Sequence, residues 1–146
     1  MLDALVADIL QDFIDEEGDA LVADIYVLRQ AERALPLVSA DLAVSYLLDD
    51  NDVLPEMPGD HREVWALRTK IMVCRYLRTQ AASRVNFSSG DKKMDRSKEA
   101  ANWAALEKDL TTEYASRVKR INPAADETLI TLDVHPMIFE RGSAVE

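Results

Sequence analysis

Cysteine is nearly absent: Cys74 is the only one in 146 residues, so no disulfide can form within the chain. Glycine is scarce, at 4 residues, and aromatics make up 6 %. A many-turned all-β sandwich needs more of both, so this composition argues for a largely helical chain rich in alanine, leucine and acidic residues. Histidine occurs twice, at His61 and His135, far apart in the chain. No stretch approaches eighteen consecutive apolar residues, which argues against a membrane-spanning helix. Asp3 and Asp8 stand where a secretory leader would carry basic residues. The expectation is therefore a protein that stays in the cytoplasm unless it leaves inside an assembly.

What is present fits one globular domain. Apolar residues make up 48 % and charged residues 30 %, the balance of an ordinary soluble fold. A chain of this length buries a core without a metal or disulfide staple.

The net charge of −10 is unevenly spread. Residues 1–60 hold 2 basic against 15 acidic residues, a net of −13. Residues 61–121 hold 14 against 7, a net of +7, and residues 122–146 hold 1 against 5, a net of −4. Two arrangements satisfy this pattern. Acidic and basic segments face each other within one molecule, or part of the complementarity lies between copies, as a heterologous contact that closes into a ring. Sequence-specific DNA binding is disfavoured. The one basic stretch, RVNFSSGDKKMDRSK, is broken by Asp91 and Asp95 and has Phe87 as its only aromatic.

Hydrophobic spacing predicts the elements. Residues 2–14 read as an amphipathic helix with Leu2, Leu5, Ile9 and Phe13 on one face. A second helix is predicted from Asp19, as N-cap, to Leu35, with Leu21, Ile25, Leu28 and Glu32 on one face. Pro36 should end it. The hexamer ALVADI occurs at Ala4–Ile9 and Ala20–Ile25 and reads as two similar helical faces rather than a repeat array. Residues 41–48 suit either strand or helix. Pro36 before them and the turn cluster at 49–52 after them favour a short extended segment, with a loop over 54–59.

Asp60 and Glu63 have capping-box spacing and open a long helix to about Ser83. Its stripe is Val64, Leu67, Ile71, Cys74 and Leu77, widened by Trp65, Met72 and Val73, which suits a central core helix. After a polar loop over 86–94, a last helix runs from near Asp95 to Asn122, stopped by Pro123. Its stripe is Ala100, Trp103, Leu106, Leu110, Tyr114, Val118 and Ile121. Beyond it, residues 128–134 alternate with period two, and His135-Pro136-Met137-Ile138-Phe139 follows with little charge. A lone strand needs a partner, so this tail pairs either with residues 41–48 or with another molecule. The fold class is thus mainly α: a small helical bundle over residues 1–122, with one short extended segment, then an extended C-terminal arm over 123–146.

The candidate partner-binding residues are Ile130, Leu132, Val134, Ile138 and Phe139 on that arm. No catalytic, metal-binding or cofactor-binding set is predicted, and no cofactor is expected. The chain lacks HExxH, GxSxG, Walker and GxGxxG patterns. Cys74 sits on an apolar stripe as a small buried hydrophobe. The acidic runs at 15–19 and 49–52 fail the EF-hand pattern and read as solvated turns.

The order of elements resembles the head–tail connector (adaptor) proteins of tailed bacteriophages. It runs from a helical pair ending at Arg33-Ala34-Leu35-Pro36, through an extended piece and Val53-Leu54-Pro55-Glu56, to a long apolar helix. The loop FSSGDKKMDRSKEA, a helix ending near Tyr114 and an extended tail complete it. The similarity covers roughly residues 1–121, and its most suggestive stretch is Gly90–Arg96. The tail after Pro123 is longer than in the shortest members. The resemblance implies a helical bundle without catalysis, at the virion neck after synthesis in the host cytoplasm. Copies would form a ring, as a rule twelve-fold, below the portal protein. Terminal arms would grip the portal and a tail or stopper protein would dock beneath. Genome DNA would pass through without sequence-specific binding, and acidic walls would aid that passage. Two other classes fit the sequence: a dimeric helical interaction or regulatory protein, and a small enzyme using His61 or His135.

Overall fold

The computed structural model describes residues 1–85 and 91–125, with side chains described outside 83–98. The chain is mainly helical. Helix α1 spans Leu2–Asp12 and α2 spans Asp24–Leu42. A small antiparallel hairpin follows, β1 (Leu47–Asp49) and β2 (Asp52–Leu54), then the long helices α3 (Gly59–Val85) and α4 (Asp91–Ile121). The arm beyond Ala125, with Ile130, Leu132, Val134, Ile138 and Phe139, lies outside the described residues.

Helix α3 is the centre. Its predicted stripe of Val64, Leu67, Ile71, Cys74 and Leu77 is buried, as are Trp65 and Val73. Helices α4, α2 and α1 all pack against it. Trp65 is fully enclosed, and its indole N–H donates to the Ala31 carbonyl of α2 at 2.8 Å. On α4, Glu107 receives Arg75 Nε at 2.7 Å and Arg78 at 2.9 Å, clamping the two long helices. Helix α1 buries Leu2, Leu5, Val6 and Ile9, with Phe13 buried at its C-cap. Its Asp8 and Asp12 pair with Arg62 and Lys70 of α3 at 3.0 and 2.6 Å.

The hairpin closes α1. The Asn51 carbonyl accepts from the Leu2 N–H at 2.9 Å, and Asn51 Oδ1 accepts from the Asp3 N–H at 2.8 Å. These are amides that a helix start leaves without partners, so the turn acts as a cap supplied from 48 residues away. Asp50 takes φ 59° in that turn, a region Asp enters more readily than most residues.

Polar groups also cross the interior. Asp41, buried at the end of α2, accepts a hydrogen bond from the Tyr114 hydroxyl of α4. Its carbonyl accepts from the Asn122 amide at 3.0 Å. The buried Arg68 of α3 sets its guanidinium carbon 5.7 Å from the Tyr114 ring centroid, within cation–π range.

Several expectations are corrected. The second helix starts at Asp24, not Asp19. Residues 13–21 instead close a tight loop: the Leu21 N–H donates to the Phe13 carbonyl, Ile14 bridges Ala20, and Asp15 Oδ1 accepts from the Glu17 and Asp19 amides. Gly18 turns that loop at φ 89°. The second ALVADI copy is therefore not a helical face like the first, and Leu21 and Ile25 are exposed. Glu32 is exposed too, Leu28 is half-buried, and the buried face of α2 runs through Val27, Ala31, Ala34, Leu35 and Val38.

Pro36 does not stop α2, which continues to Leu42. Pro36 and Glu32 share the exposed side. Pro36 removes one amide donor on that side, while Val38 and Leu42 go on burying apolar surface. Residues 41–48 consequently divide between the helix end and β1, and the expected loop at 54–59 begins with the last residue of β2. The Asp60/Glu63 capping box does not form. The Pro58 carbonyl accepts the first helical bond, from Arg62, and Glu63 pairs outward with Arg117.

The last helix begins at Asp91, four residues before the predicted Asp95. Tyr114 and Val118 of its stripe are buried, but Ala100, Trp103, Leu110 and Ile121 are half-buried and Leu106 is 37 % exposed. The bundle turns α4 so that the charged Glu107 takes the inner position.

Urea unfolding will separate these sites. Ile71→Ala should cost about 2–5 kcal/mol, as for a filled core site. Leu106→Ala should cost about 0.5 kcal/mol or less, the size of a surface change. Tyr114→Phe removes the donor to buried Asp41 and should cost about 1–3 kcal/mol.

Candidate functional site

The hairpin delivers Tyr46 to the start of α3. Its hydroxyl lies 2.7 Å from His61 Nδ1, and the two rings meet edge to face at 5.9 Å. The Tyr46 N–H donates to Ser39 Oγ at 3.1 Å. Burial pushes the Tyr46 phenol up, and the Asp60 charge adds to this. The phenol therefore keeps its proton at neutral pH and donates to Nδ1 in the tautomer that leaves this nitrogen free. His61 thus joins the hairpin to α3.

Beside it lies a cleft of about 350 Å³ lined by Asp60, His61, Arg117, Arg120 and Ile121. Arg117 is held by Glu113 at 3.0 Å and by Glu63. The Glu113 hydrogen bond raises its pKa first, with the Glu63 charge adding. Among the described residues the lining offers an imidazole, a carboxylate and two guanidiniums, but no hydroxyl or thiol. His135 lies outside the described residues, so the structure does not bring the two histidines together.

Cys74 is fully buried on α3. Burial pushes its thiol up to about 12; the Glu107 charge adds to this, and Arg78 and Lys70 oppose it. A nucleophilic cysteine needs the reverse. In the 15–19 loop, carboxylate oxygens of Asp15, Glu17 and Asp19 lie within 4.8 Å of one another, all exposed. Asp15 is already occupied in closing the loop through backbone amides.

The remaining feature is apolar surface. Leu47 and Leu54 are cross-strand partners on the outer face of the hairpin, 71 % and 54 % exposed, while Leu48 and Val53 face the core. Asp49, Asp50 and Asp52 surround this pair in sequence, and Asp52 is 3.9 Å from the N-terminal ammonium. Toward the other end of the bundle, Glu99, Asn102, Trp103 and Leu106 line an open groove of about 320 Å³. Trp103 is backed there by Phe13 at 5.9 Å. A third groove, between α1 and α2, is lined by Val6, Leu10, Ile25 and Leu28 with Asp3 and Asp24 at its rim.

The binding residues expected from the sequence lie on the arm, outside the described residues, and the exposed hairpin pair is an apolar surface the sequence reading does not single out. The signal was available: Leu47-Leu48 and Val53-Leu54 flank the two-residue turn Asp50-Asn51, a hairpin pattern. Among the described residues no helix is long and apolar enough to cross a membrane.

Thiol chemistry checks the Cys74 placement. Native protein at pH 8 should not react with a disulfide reagent, and one thiol per chain should appear on unfolding. From about pH 9 to 12 the unfolded chain releases this proton while the folded chain keeps it. Stability should therefore fall as pH rises through that window, and Cys74→Ala should reduce the fall. Comparison with family models, with curated proteins and with solved structures gives no match; function is read from the chain's own residues.

Proposed function

We propose that the chain is a structural virion protein, a head–tail connector (adaptor) of a tailed bacteriophage. Its copies form a ring under the portal protein and join capsid to tail at the virion neck without catalysing a reaction. The observation that carries this reading is the order of elements around α3. A helical pair, a short extended piece, two long helices and, in the sequence, an extended tail after Pro123 follow one another in an order that resembles the connector layout.

Other features support it. Cys74 is packed as a core residue and His61 is hydrogen-bonded to Tyr46. Apolar side chains are exposed on the hairpin and on α4, where a contact surface needs them. The acidic first segment suits a ring through which DNA passes, because phosphate is repelled rather than held.

The arm residues Ile130, Leu132, Val134, Ile138 and Phe139 are proposed to grip the portal. The four helices and the core of the described residues lie within residues 1–125. Removing residues 124–146 should therefore shift the melting temperature by less than about 4 °C, a change of about 1 kcal/mol or less. Negative-stain images should show the full-length chain as a ring on the portal encoded in the same genome, and the truncated chain should not bind. Full-length protein that leaves the portal bare would overturn the connector reading. Unfolding of the truncated chain would show instead that the arm pairs within its own molecule.

A further inference from the structure

Helices α1 and α2 meet along an open groove of about 320 Å³, lined wholly by described residues. Helix α1 contributes Asp3, Val6, Ala7 and Leu10, spaced i, i+3, i+4, i+7 along one face, and α2 contributes Asp24, Ile25 and Leu28. Ile25 is 51 % exposed and Ala7 is exposed, so the floor is apolar surface open to water.

The rim is acidic. Asp8 and Asp12 of α1 are taken up by Arg62 and Lys70, but Asp3 and Asp24 have no ion pair among the described residues. Both stand in the first turn of their helix, where the dipole favours a charged carboxylate. The Ile25 amide donates to Asp24 Oδ1 at 2.7 Å and leaves that charge in place. Residues 1–32 hold nine acidic residues against one basic, Arg29. Arg29 lies one turn beyond Ile25, and the N-terminal ammonium lies 3.9 Å from Asp52; neither lines the groove.

Shape and charge select the occupant. An extended peptide finds no strand edge between two helices, so its backbone groups would lose water without gaining partners. A helix satisfies its own backbone and sets a ridge of side chains into such a groove. Residues 3–10 of α1 run for about 10 Å, two turns of an incoming helix. The chain's own tail, at net −4 over residues 122–146, and a second copy, at net −10, both bring acid to an acidic rim. A cationic helix brings the opposite sign.

We propose that the groove between α1 and α2 binds a basic amphipathic helix of another protein, its apolar stripe on Val6, Leu10, Ile25 and Leu28 and its cations against Asp3 and Asp24. This goes beyond the connector reading and does not rest on it.

The probe is a labelled peptide of about 14 residues, four helical turns, with leucines at i, i+3, i+4 and i+7 and lysines elsewhere. Fluorescence anisotropy with the full-length chain should show binding that weakens as salt rises to about 0.5 M. A peptide of the same composition with its leucines scattered around the helix, and one with glutamate in place of lysine, should each bind at least about tenfold more weakly. Ile25→Ser strips the floor, and Ala7→Gln fills the groove without changing charge. Each should weaken binding of the first peptide at least about tenfold, with the fold retained by circular dichroism. Asp24→Asn should weaken it more than Asp109→Asn, which removes the same charge from an exposed position on α4.

Equal binding of the ordered and scattered peptides, or equal effects of Asp24→Asn and Asp109→Asn, would reduce the attraction to net charge and overturn the groove. Binding unchanged in both Ile25→Ser and Ala7→Gln would do the same. Wild-type association in sedimentation that Ile25→Ser abolishes would put a second copy there instead. A full-length chain that binds no peptide overturns the proposal outright, and recovery of binding on removing residues 124–146 would then give the groove to the chain's own tail. None of these outcomes bears on the portal images, which decide the connector reading independently.

Discussion

Buried Asp41 makes the bundle depend on one polar contact. Its side chain takes the Tyr114 hydroxyl and its carbonyl takes the Asn122 amide, so the end of α2 is fixed to both the body and the end of α4. Arg68 over the Tyr114 ring brings in α3. A buried carboxylate is costly unless its oxygens are hydrogen-bonded, which makes this junction strict about geometry. Apolar packing alone would let α4 rotate; the hydroxyl reaches Asp41 in one rotational setting. That setting turns Leu106 outward and leaves Trp103 half-covered. The surface of α4 is therefore a consequence of its interior.

Long elements were legible and short ones were not. The α3 stripe from Val64 to Leu77 is apolar at helical spacing over four turns, and a signal of that length survives any local perturbation. Helix α1 was equally plain from Leu2, Leu5 and Ile9. Where two short-range preferences competed, tertiary context decided. The hexamer ALVADI is helical at Ala4–Ile9, yet its second copy begins in the bridge at Ala20 and enters α2 only at Asp24, because the 13–21 loop captures the backbone first. Pro36 is the same lesson reversed: a local stop signal fails when its missing bond lies on the wet side. The polar junction was not legible, since nothing in the sequence marks Asp41 apart from the other acids of the first 60 residues. The outward leucine pair is legible from the two apolar dipeptides about Asp50-Asn51 taken together, and not from residues 41–48 taken as one segment.

The charge asymmetry of the sequence resolves only in part within the molecule. Asp8, Asp12 and Glu63 find Arg62, Lys70 and Arg117, so acidic α1 does lie on basic α3. Exposed pairs of this kind contribute little stability, and their effect is mainly on orientation. Among the described residues, the ion pair found for the acids of the hairpin is Asp52 with the N-terminal ammonium at 3.9 Å.

The cap that Asn51 places on α1 has a consequence for remote substitutions. Besides packing on α2, helix α1 is held by groups far along the chain: Asn51, then Arg62 and Lys70, with Phe13 at its C-cap against Trp103. Eleven residues are too few to hold a helix in water unaided. Its helical state therefore depends on the hairpin turn and α3 presenting their bonds, so a change at Asn51, far away in sequence, acts on α1.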